Sequence, residues 1–206
     1  MSPLLLSRLA RVAFAAALAA ALHAFAQGGF ELPQLMQLLA KAKAGKAQFV
    51  ERRTVAMLEQ TLESSGRLSF EAPDTFVRET LEPRREKLVV VGNQLTLTQG
   101  SRVRTLALDA TPEAAVMIEA IRGTLTGNRD ALERYFKASV GGDARGWRLD
   151  LTPRDWRLLA QVRTIRVSGR DAAVREVAVT LADGDRSVMS IEPLPAEAQA
   201  PQAVRP

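Results

Sequence analysis

The chain contains no cysteine. A disulfide, a thiol nucleophile and a thiolate metal site are therefore excluded. Its single histidine, His23, falls in the first 26 residues. That segment is expected to be removed on export, leaving a chain without imidazole. Neither a Ser-His-Asp relay nor a histidine zinc site can be built without it. Chemistry using carboxylates alone stays open in principle. However, the acidic residues read better as turn formers (Asp183 and Asp185) or surface charge, so no catalytic residue and no metal ligand is assigned. Aromatics make up only 5% of the chain, with one tyrosine, Tyr135, and two tryptophans, Trp147 and Trp156. A nucleic-acid surface needs a basic stripe with stacking rings, so nucleic acid is not expected as a partner. No Gly-rich phosphate loop, internal repeat or domain linker is present.

The N-terminal 26 residues read as a secretory signal peptide. Arg8 and Arg11 precede an apolar run from Val12 to Leu22, and Ala24-Phe25-Ala26 forms a small-residue cleavage site before Gln27. The run is too short and too alanine-rich to span about 30 Å of hydrocarbon comfortably as a membrane anchor. With no cysteine near the site, attachment of a lipid there is excluded. A soluble, exported protein is expected, in the periplasm, with residues 27–192 as one domain and 193–206 as a disordered tail rich in Pro, Ala and Gln. Loss of Arg8 and Arg11 lowers the formal charge from +5 to +3.

Periodicity divides the domain. Residues 30–44 read as a helix, with Leu32, Leu35, Met36, Leu38 and Leu39 on one side, Pro33 near its start and Gly45 as terminator. Residues 47–53 and 55–62 read as strands, followed by a turn at Ser64-Ser65-Gly66. Gly66 to Gly92 then reads as a proline-punctuated meander. Leu68 and Phe70 alternate with polar residues, Pro73-Asp74 turns, and Phe76, Arg78 and Thr80 share one strand face. Pro83 turns again before the run Leu88 to Val91. Two more strands follow, over 94–98 and 102–108. The period then changes. Thr111-Pro112-Glu113 reads as a helix start, with an apolar stripe of Val116, Met117, Ala120 and Ile121 ending at Gly123. A second short helix begins near Asn128, with Leu132, Tyr135 and Phe136 on one face. The remainder is β: 147–152, 162–168, 174–181 and 186–192.

About ten or eleven antiparallel strands, one N-terminal helix and a central helix pair result, an α+β fold that is mainly β. One alternating set of strand positions is apolar: Leu68, Phe70, Leu95, Leu97, Trp147, Leu149, Leu151, Val177, Val179 and Leu181. A sheet with one dry face must cover it, by closing into a barrel or by curling around helices. Plain core packing is the favoured reading of such a face. An apolar cavity is the alternative where the sheet closes incompletely, and the central helices serve either as core cover or as a lid.

Particular motifs carry a resemblance. They are Phe49-Val50-Glu51 after the first helix, Gly66-x-Leu68-x-Phe70, Pro73-Asp74-x-Phe76, Pro83, the strand and turn from Leu88 to Gly92, and Trp147-x-Leu149-x-Leu151-x-Pro153. In that order and spacing the chain resembles the LolA/LolB superfamily of periplasmic lipoprotein carriers. The resemblance implies an incomplete antiparallel β-barrel of about eleven strands, wrapped around an N-terminal helix and a central helical lid. It also implies a non-enzymatic carrier of acyl chains without a cofactor. The lipid-binding positions it implies are Leu68, Phe70, Phe76, Leu95, Leu97, Trp147, Leu149, Leu151, Val177 and Val179 on strands, with Val116, Met117 and Ile121 on the lid. The implied partners are lipoprotein acyl chains or another lipid, an inner-membrane exporter and an outer-membrane acceptor, and the carrier is expected to be a monomer. A lipid-sensing regulatory module of the envelope is the alternative within the same fold. Two positions depart from the carriers. Ala72 stands where they place a lid-holding arginine, and Arg78 stands where they often have an aromatic. Arg78 is open to three readings: a lid contact, a head-group contact or an ordinary strand residue.

Overall fold

The computed structural model describes residues 29–58, 60–110 and 112–195. The proposed signal peptide and the tail beyond residue 195 lie outside these residues, as does Thr111, the expected helix cap. Helix α1 covers Leu32–Leu39; strands β1 to β6 are Ala44–Val55, Gln60–Glu71, Thr75–Glu82, Glu86–Val91, Gln94–Gln99 and Arg102–Ala107. Helices α2 (Pro112–Thr126) and α3 (Arg129–Tyr135) follow. Strands β7 and β8 are Phe136–Asp143 and Gly146–Pro153, and the short α4 is Trp156–Leu159. Strands β9 to β11 are Val162–Arg170, Ala173–Leu181 and Arg186–Pro193.

All eleven strands form one sheet in the order β6-β5-β4-β3-β2-β1-β11-β10-β9-β8-β7. All ten neighbouring pairs are antiparallel. Two meanders are thus joined where β1 pairs with β11, and β6 and β7 are left as the two edges. The chain between those edges is α2 and α3. The barrel is open, and the helical insert runs from one lip to the other.

Pairing register sets one inner face across the sheet. Ala47, Phe49 and Glu51 of β1 oppose Leu68, Gly66 and Ser64 of β2, and Pro193, Ile191 and Met189 of β11. The outer face is charged. Asp150 accepts from Arg148 Nε at 3.0 Å on its own strand and from Arg166 Nε at 2.6 Å on β9. Exposed pairs of this kind contribute at most about 1 kcal/mol each, so burial on the inner face must supply most of the stability.

That inner face is packed on one side only. Leu35, Met36 and Leu39 of α1, Leu132 of α3 and Phe136 pack with Trp147, Leu149, Leu151, Val162, Ile165 and Val167 into the main core. These residues belong to β7–β9 and the helices above them. A smaller cluster of Val90, Leu108 and Ile118 joins α2 to β4. Helix α1 starts with Gln34 accepting from the Glu31 N–H at 3.2 Å, and the Asn128 side chain caps α3 by accepting from Ala131 N at 3.1 Å.

Four expectations change. The first helix ends at Leu39 rather than near Ala44, and Gly45 is paired in β1. The expected strand 55–62 is divided: Val55 ends β1, Ala56–Leu58 form a 3-10 turn, and Gln60 opens β2, which runs straight through Ser64-Ser65-Gly66 to Glu71. Gly66 there marks close backbone approach and a register shift against β3, and makes no turn. Helix α2 continues past Gly123 to Thr126. Gly123 is buried and seats Leu132, whose Cγ and Cδ2 would lie 2.9 Å from an added Cβ. Finally, Phe136 does not end a helix but begins β7, a strand the periodicity did not reveal. Its sequence, FKASVGGD, has few branched residues and two glycines.

Candidate functional site

The unfilled half of the inner face forms a partly open cavity of about 470 Å³. Its walls come from β1–β4 and β8–β11, and its roof from α1 and α2. Strand alternation places Leu68 and Phe70 (β2), Phe76 (β3), Leu88 (β4), Val177 and Val179 (β10), and Met189 and Ile191 (β11) on it. Helix α2 contributes Met117, Ile118, Ala120, Ile121, Thr124 and Leu125 along one side. Thr124 can sit there because its hydroxyl is used within the helix, donating to Ala120 O at 2.7 Å.

Of the residues singled out from sequence, the structure gathers nine around this cavity: Leu68, Phe70, Phe76, Arg78, Met117, Ile121, Leu151, Val177 and Val179. Five do not border it. Trp147 and Leu149, at 2% and 0% exposure, lie inside the main core. Gly169 stands opposite Trp147 in the register, and an added Cβ there would come within 2.5 Å of the indole Cζ2, so the ring fills the space that glycine leaves. The indole N–H donates to Asp171 O at 2.8 Å. Val116 packs against the same core, and Leu95 against the smaller cluster beneath α2. Leu97 is half-buried between Leu88 and Arg104 of the flanking strands. The four on strands have the right alternation, and Val116 lies on the apolar stripe of α2. Whether helices cover them is decided by where α1, α2 and α3 land.

The lining is not uniformly apolar. A polar cluster sits on the wall where β1, β3 and β11 contribute Glu51, Arg78 and Ser187. Arg78 Nη2 donates to Glu51 Oε2 at 2.5 Å, the Ser187 hydroxyl bonds the other carboxylate oxygen, and Ser64 Oγ approaches at 3.5 Å. Arg78 reaches Glu51 across β2. Its guanidinium carbon lies 4.8 Å from the centroid of Phe49, which faces Gly66 in the register. A side chain at Gly66 would meet Phe49 Cε1 at 2.9 Å. Glycine at this position lets the ring lie over the strand and the arginine stack on the ring. Lys46 also lines the cavity, in the stretch where Ala42, Ala44 and Gly45 lead from α1 into β1. Glu51 was visible in sequence only as part of the Phe49-Val50-Glu51 motif. Ser187, Met189 and Ile191 were not singled out within the last expected strand, where alternation is the signal that could have found them.

Helix α2 is tied to the sheet by its own arginine. Arg122 Nη2 donates to Gly92 O in the β4–β5 turn at 2.7 Å, and its Nη1 bonds Glu119 at 2.6 Å.

Beside the polar cluster, Asp185 closes the β10–β11 turn onto β1. Arg53 Nη2 lies 2.9 Å from Oδ2, and the Ala56 N–H donates to Oδ1 at 3.0 Å. The Arg53 guanidinium first, and then the Ala56 N–H, hold this carboxyl below the usual carboxylate range. Because the folded value is the depressed one, its contribution is fully present above the unfolded value, about 4, and is lost as pH falls through the folded value. Asp185→Asn should therefore lower the Tm at neutral pH, with the gap to wild type narrowing below about pH 4. Thermal unfolding followed by circular dichroism at several pH values measures this. A pH-independent gap would show that Asp185 acts through packing alone.

Among the described residues no three His, Cys, Asp or Glu side chains cluster to hold a metal ion, and no helix is long and apolar enough to cross a membrane. What the arrangement offers is an apolar container with one small polar wall.

No curated protein matches the chain in sequence. Among solved structures, it is similar to the LolA superfamily protein NE2245 from Nitrosomonas europaea, at 10% identity over 85% of this chain and 100% of that one, with a TM-score of 0.44. It is similar to a chain of the Pseudomonas aeruginosa MucA/MucB complex, at 15% identity over 82% of this chain, with a TM-score of 0.42; the match spans only 59% of that chain. LprF from Mycobacterium bovis is similar at 11% identity, over 78% of this chain and 91% of that one, with a TM-score of 0.36. The family model for outer membrane lipoprotein carrier protein LolA-like matches residues 8–200, nearly the whole sequence, so the chain belongs to the LolA-like family.

Proposed function

We propose that this protein is a non-enzymatic periplasmic carrier that takes acyl chains into the cavity beneath α2 and moves a lipid or lipoprotein between the membranes of the envelope. The cavity is the observation that carries this reading. The space is partly open to solvent, so without a ligand water would have to cover its apolar lining, which is unfavourable in proportion to the apolar area exposed. A buried methylene contributes roughly 0.8 kcal/mol, so a sixteen-carbon chain gains on the order of 12 kcal/mol gross. An occupant of that kind covers the lining without any directed bond. Helix α2, held to the sheet by the smaller cluster and the Arg122 tie, is the element that would lift to admit it. In this reading the donor is an inner-membrane exporter, the acceptor lies at the outer membrane, and the carrier works as a monomer exported by a cleaved signal peptide.

The test is direct. The exported chain is produced in its native host and extracted with organic solvent, and the extract is analysed by mass spectrometry. A lipid or acylated peptide recovered in stoichiometric amount is expected. A lipid-free preparation that also fails to bind a hydrophobic fluorescent probe would rule the carrier out.

A further inference from the structure

We propose that one rim of the barrel docks on an anionic membrane surface. Trp156 and Leu159 of α4 enter the head-group layer, and the basic side chains around them meet the lipid charge. This surface lies outside the cavity, so the proposal holds whatever the cavity carries.

Topology assembles the rim. Strands β1, β8 and β10 end where β2, β9 and β11 begin. The three connections between them therefore share one end of the sheet. Hydrogen bonds join these connections: Ala182 N–H donates to Gln161 O, and Ala56 N–H donates to the Asp185 carboxylate. Helix α4 lies in the β8–β9 connection. Asp155 caps it, accepting from Arg157 N at 2.7 Å, and Leu158 anchors it in the main core. Trp156 and Leu159, three residues apart, then fall together on the side away from the core. Trp156 is 71% exposed, whereas the other tryptophan, Trp147, is enclosed. Leu159 is 38% exposed, and Met57, in the turn between β1 and β2, is 92% exposed on the same rim.

Charge sets the partner. The Arg157 guanidinium carbon lies 5.5 Å from the centroid of the Trp156 ring. Arg154 Nε donates to the carbonyls of Glu133 and Phe136, and Arg163 Nη2 to the carbonyl of Ala182. Those acceptors are neutral. Arg134 lies in the last turn of α3, and Lys137 follows in β7 opposite Thr152; both are exposed. Among the described residues none of these five cations has a carboxylate within ion-pair distance. Of the acids nearby, Glu133 is paired with Arg129 and Asp185 with Arg53. That leaves Asp155, the α4 cap, and Asp183, which accepts from Asp185 N. The rim is therefore net positive.

A bilayer suits this surface better than an acidic protein does. A specific protein interface buries about 800 Å² on each side in fitted packing. Here a few apolar side chains stand apart among arginines on a rim of turns. A head-group layer needs no fitted shape. Tryptophan favours that depth, and arginine can lay its stem along the apolar boundary while its guanidinium reaches phosphate.

The experiment mixes the exported chain with vesicles of phosphatidylcholine, with or without phosphatidylglycerol, and follows sedimentation and tryptophan emission. Binding should be at least tenfold tighter with phosphatidylglycerol present and should weaken as salt is raised. Emission should shift to the blue and be quenched by brominated lipid. That change reports Trp156, because Trp147 is already enclosed. Trp156→Ser should abolish the emission change and weaken sedimentation at least tenfold. Lys137→Gln/Arg157→Gln should weaken it by a similar factor, since each cation near an anionic surface contributes about fivefold. Both variants leave the Leu158 anchor and the Asp155 cap in place. Equal sedimentation with the two kinds of vesicle would overturn the proposal, as would wild-type affinity in Trp156→Ser. A photoreactive side chain at position 156 that yields protein adducts and no lipid adducts in cells would also overturn it, in favour of an acidic protein partner. The carrier reading survives each of these failures, because its own test is the material recovered from the cavity.

Discussion

Replacing Gly66 by alanine is expected to cost about 3 kcal/mol of folding free energy, the upper part of the range for point substitutions that overpack a core. An added Cβ would lie 2.0 Å from the Glu79 carbonyl oxygen and 2.9 Å from its carbon. Those are backbone atoms of the neighbouring strand, so β2 and β3 would have to separate locally. The same Cβ would press on Phe49, which is 2% exposed. Displacing that ring removes the surface on which Arg78 stacks, and with it the approach of Arg78 to Glu51. Urea unfolding measures the first effect. The second appears as altered binding of a hydrophobic fluorescent probe at temperatures where the variant is still folded. A Gly66→Ala protein within 1 kcal/mol of wild type would mean that β3 yields easily at this point, and that glycine is not required there for close approach.

The second large effect separates core from cavity. Leu149→Ala should cost about 3 kcal/mol or more, within the usual span for a buried leucine, because Leu149 is fully enclosed by the main core. Val177→Ala removes two methyl-sized groups beside space that already exists, so about 1 kcal/mol is expected. The order reverses for ligand. Val177 and Val179 border the cavity and Leu149 does not. A charge introduced by Val179→Asp should weaken palmitate binding at least tenfold in a protein that still folds, whereas Leu149→Ala should alter affinity little once stability is restored by lower temperature. Chemical denaturation and fluorescence titration on the three variants supply both readings. If Val177→Ala destabilises as much as Leu149→Ala, the space beneath α2 is packed in solution.

Alternation made the inner face legible. Leu68, Phe70, Val177 and Val179 were placed correctly because a strand puts every second residue on one side whatever else the chain does. The strand total is eleven, as expected, but by compensation. The expected strand 55–62 is divided between β1 and β2, and the unrecognised β7 replaced the one lost. Ser64-Ser65-Gly66 carries turn-forming residue types. A long pairing with β1, from Ala44 opposite Glu71 to Val55 opposite Gln60, overrides that local preference. Strand β7 lacked a signal for the opposite reason. Its residues are small and weakly patterned, and its strand conformation comes from pairing with β8.

By itself, the sequence determined the lack of thiol chemistry, the mainly β architecture, the alternation of the inner face and the family. Each of these depends on residue type, period or motif order along the chain. It did not determine which part of that inner face is filled. Trp147 and Leu149 alternate just as Leu68 and Phe70 do, yet the first pair is sealed beneath α1 and α3 and the second opens on a cavity. The difference lies in how far two helices reach across a curved sheet, a matter of three-dimensional volume that no one-dimensional pattern records. The Gly66–Phe49–Arg78–Glu51 arrangement is tertiary in the same sense. Its four residues lie on three strands, and only their register brings a charged pair into the wall of an otherwise apolar container.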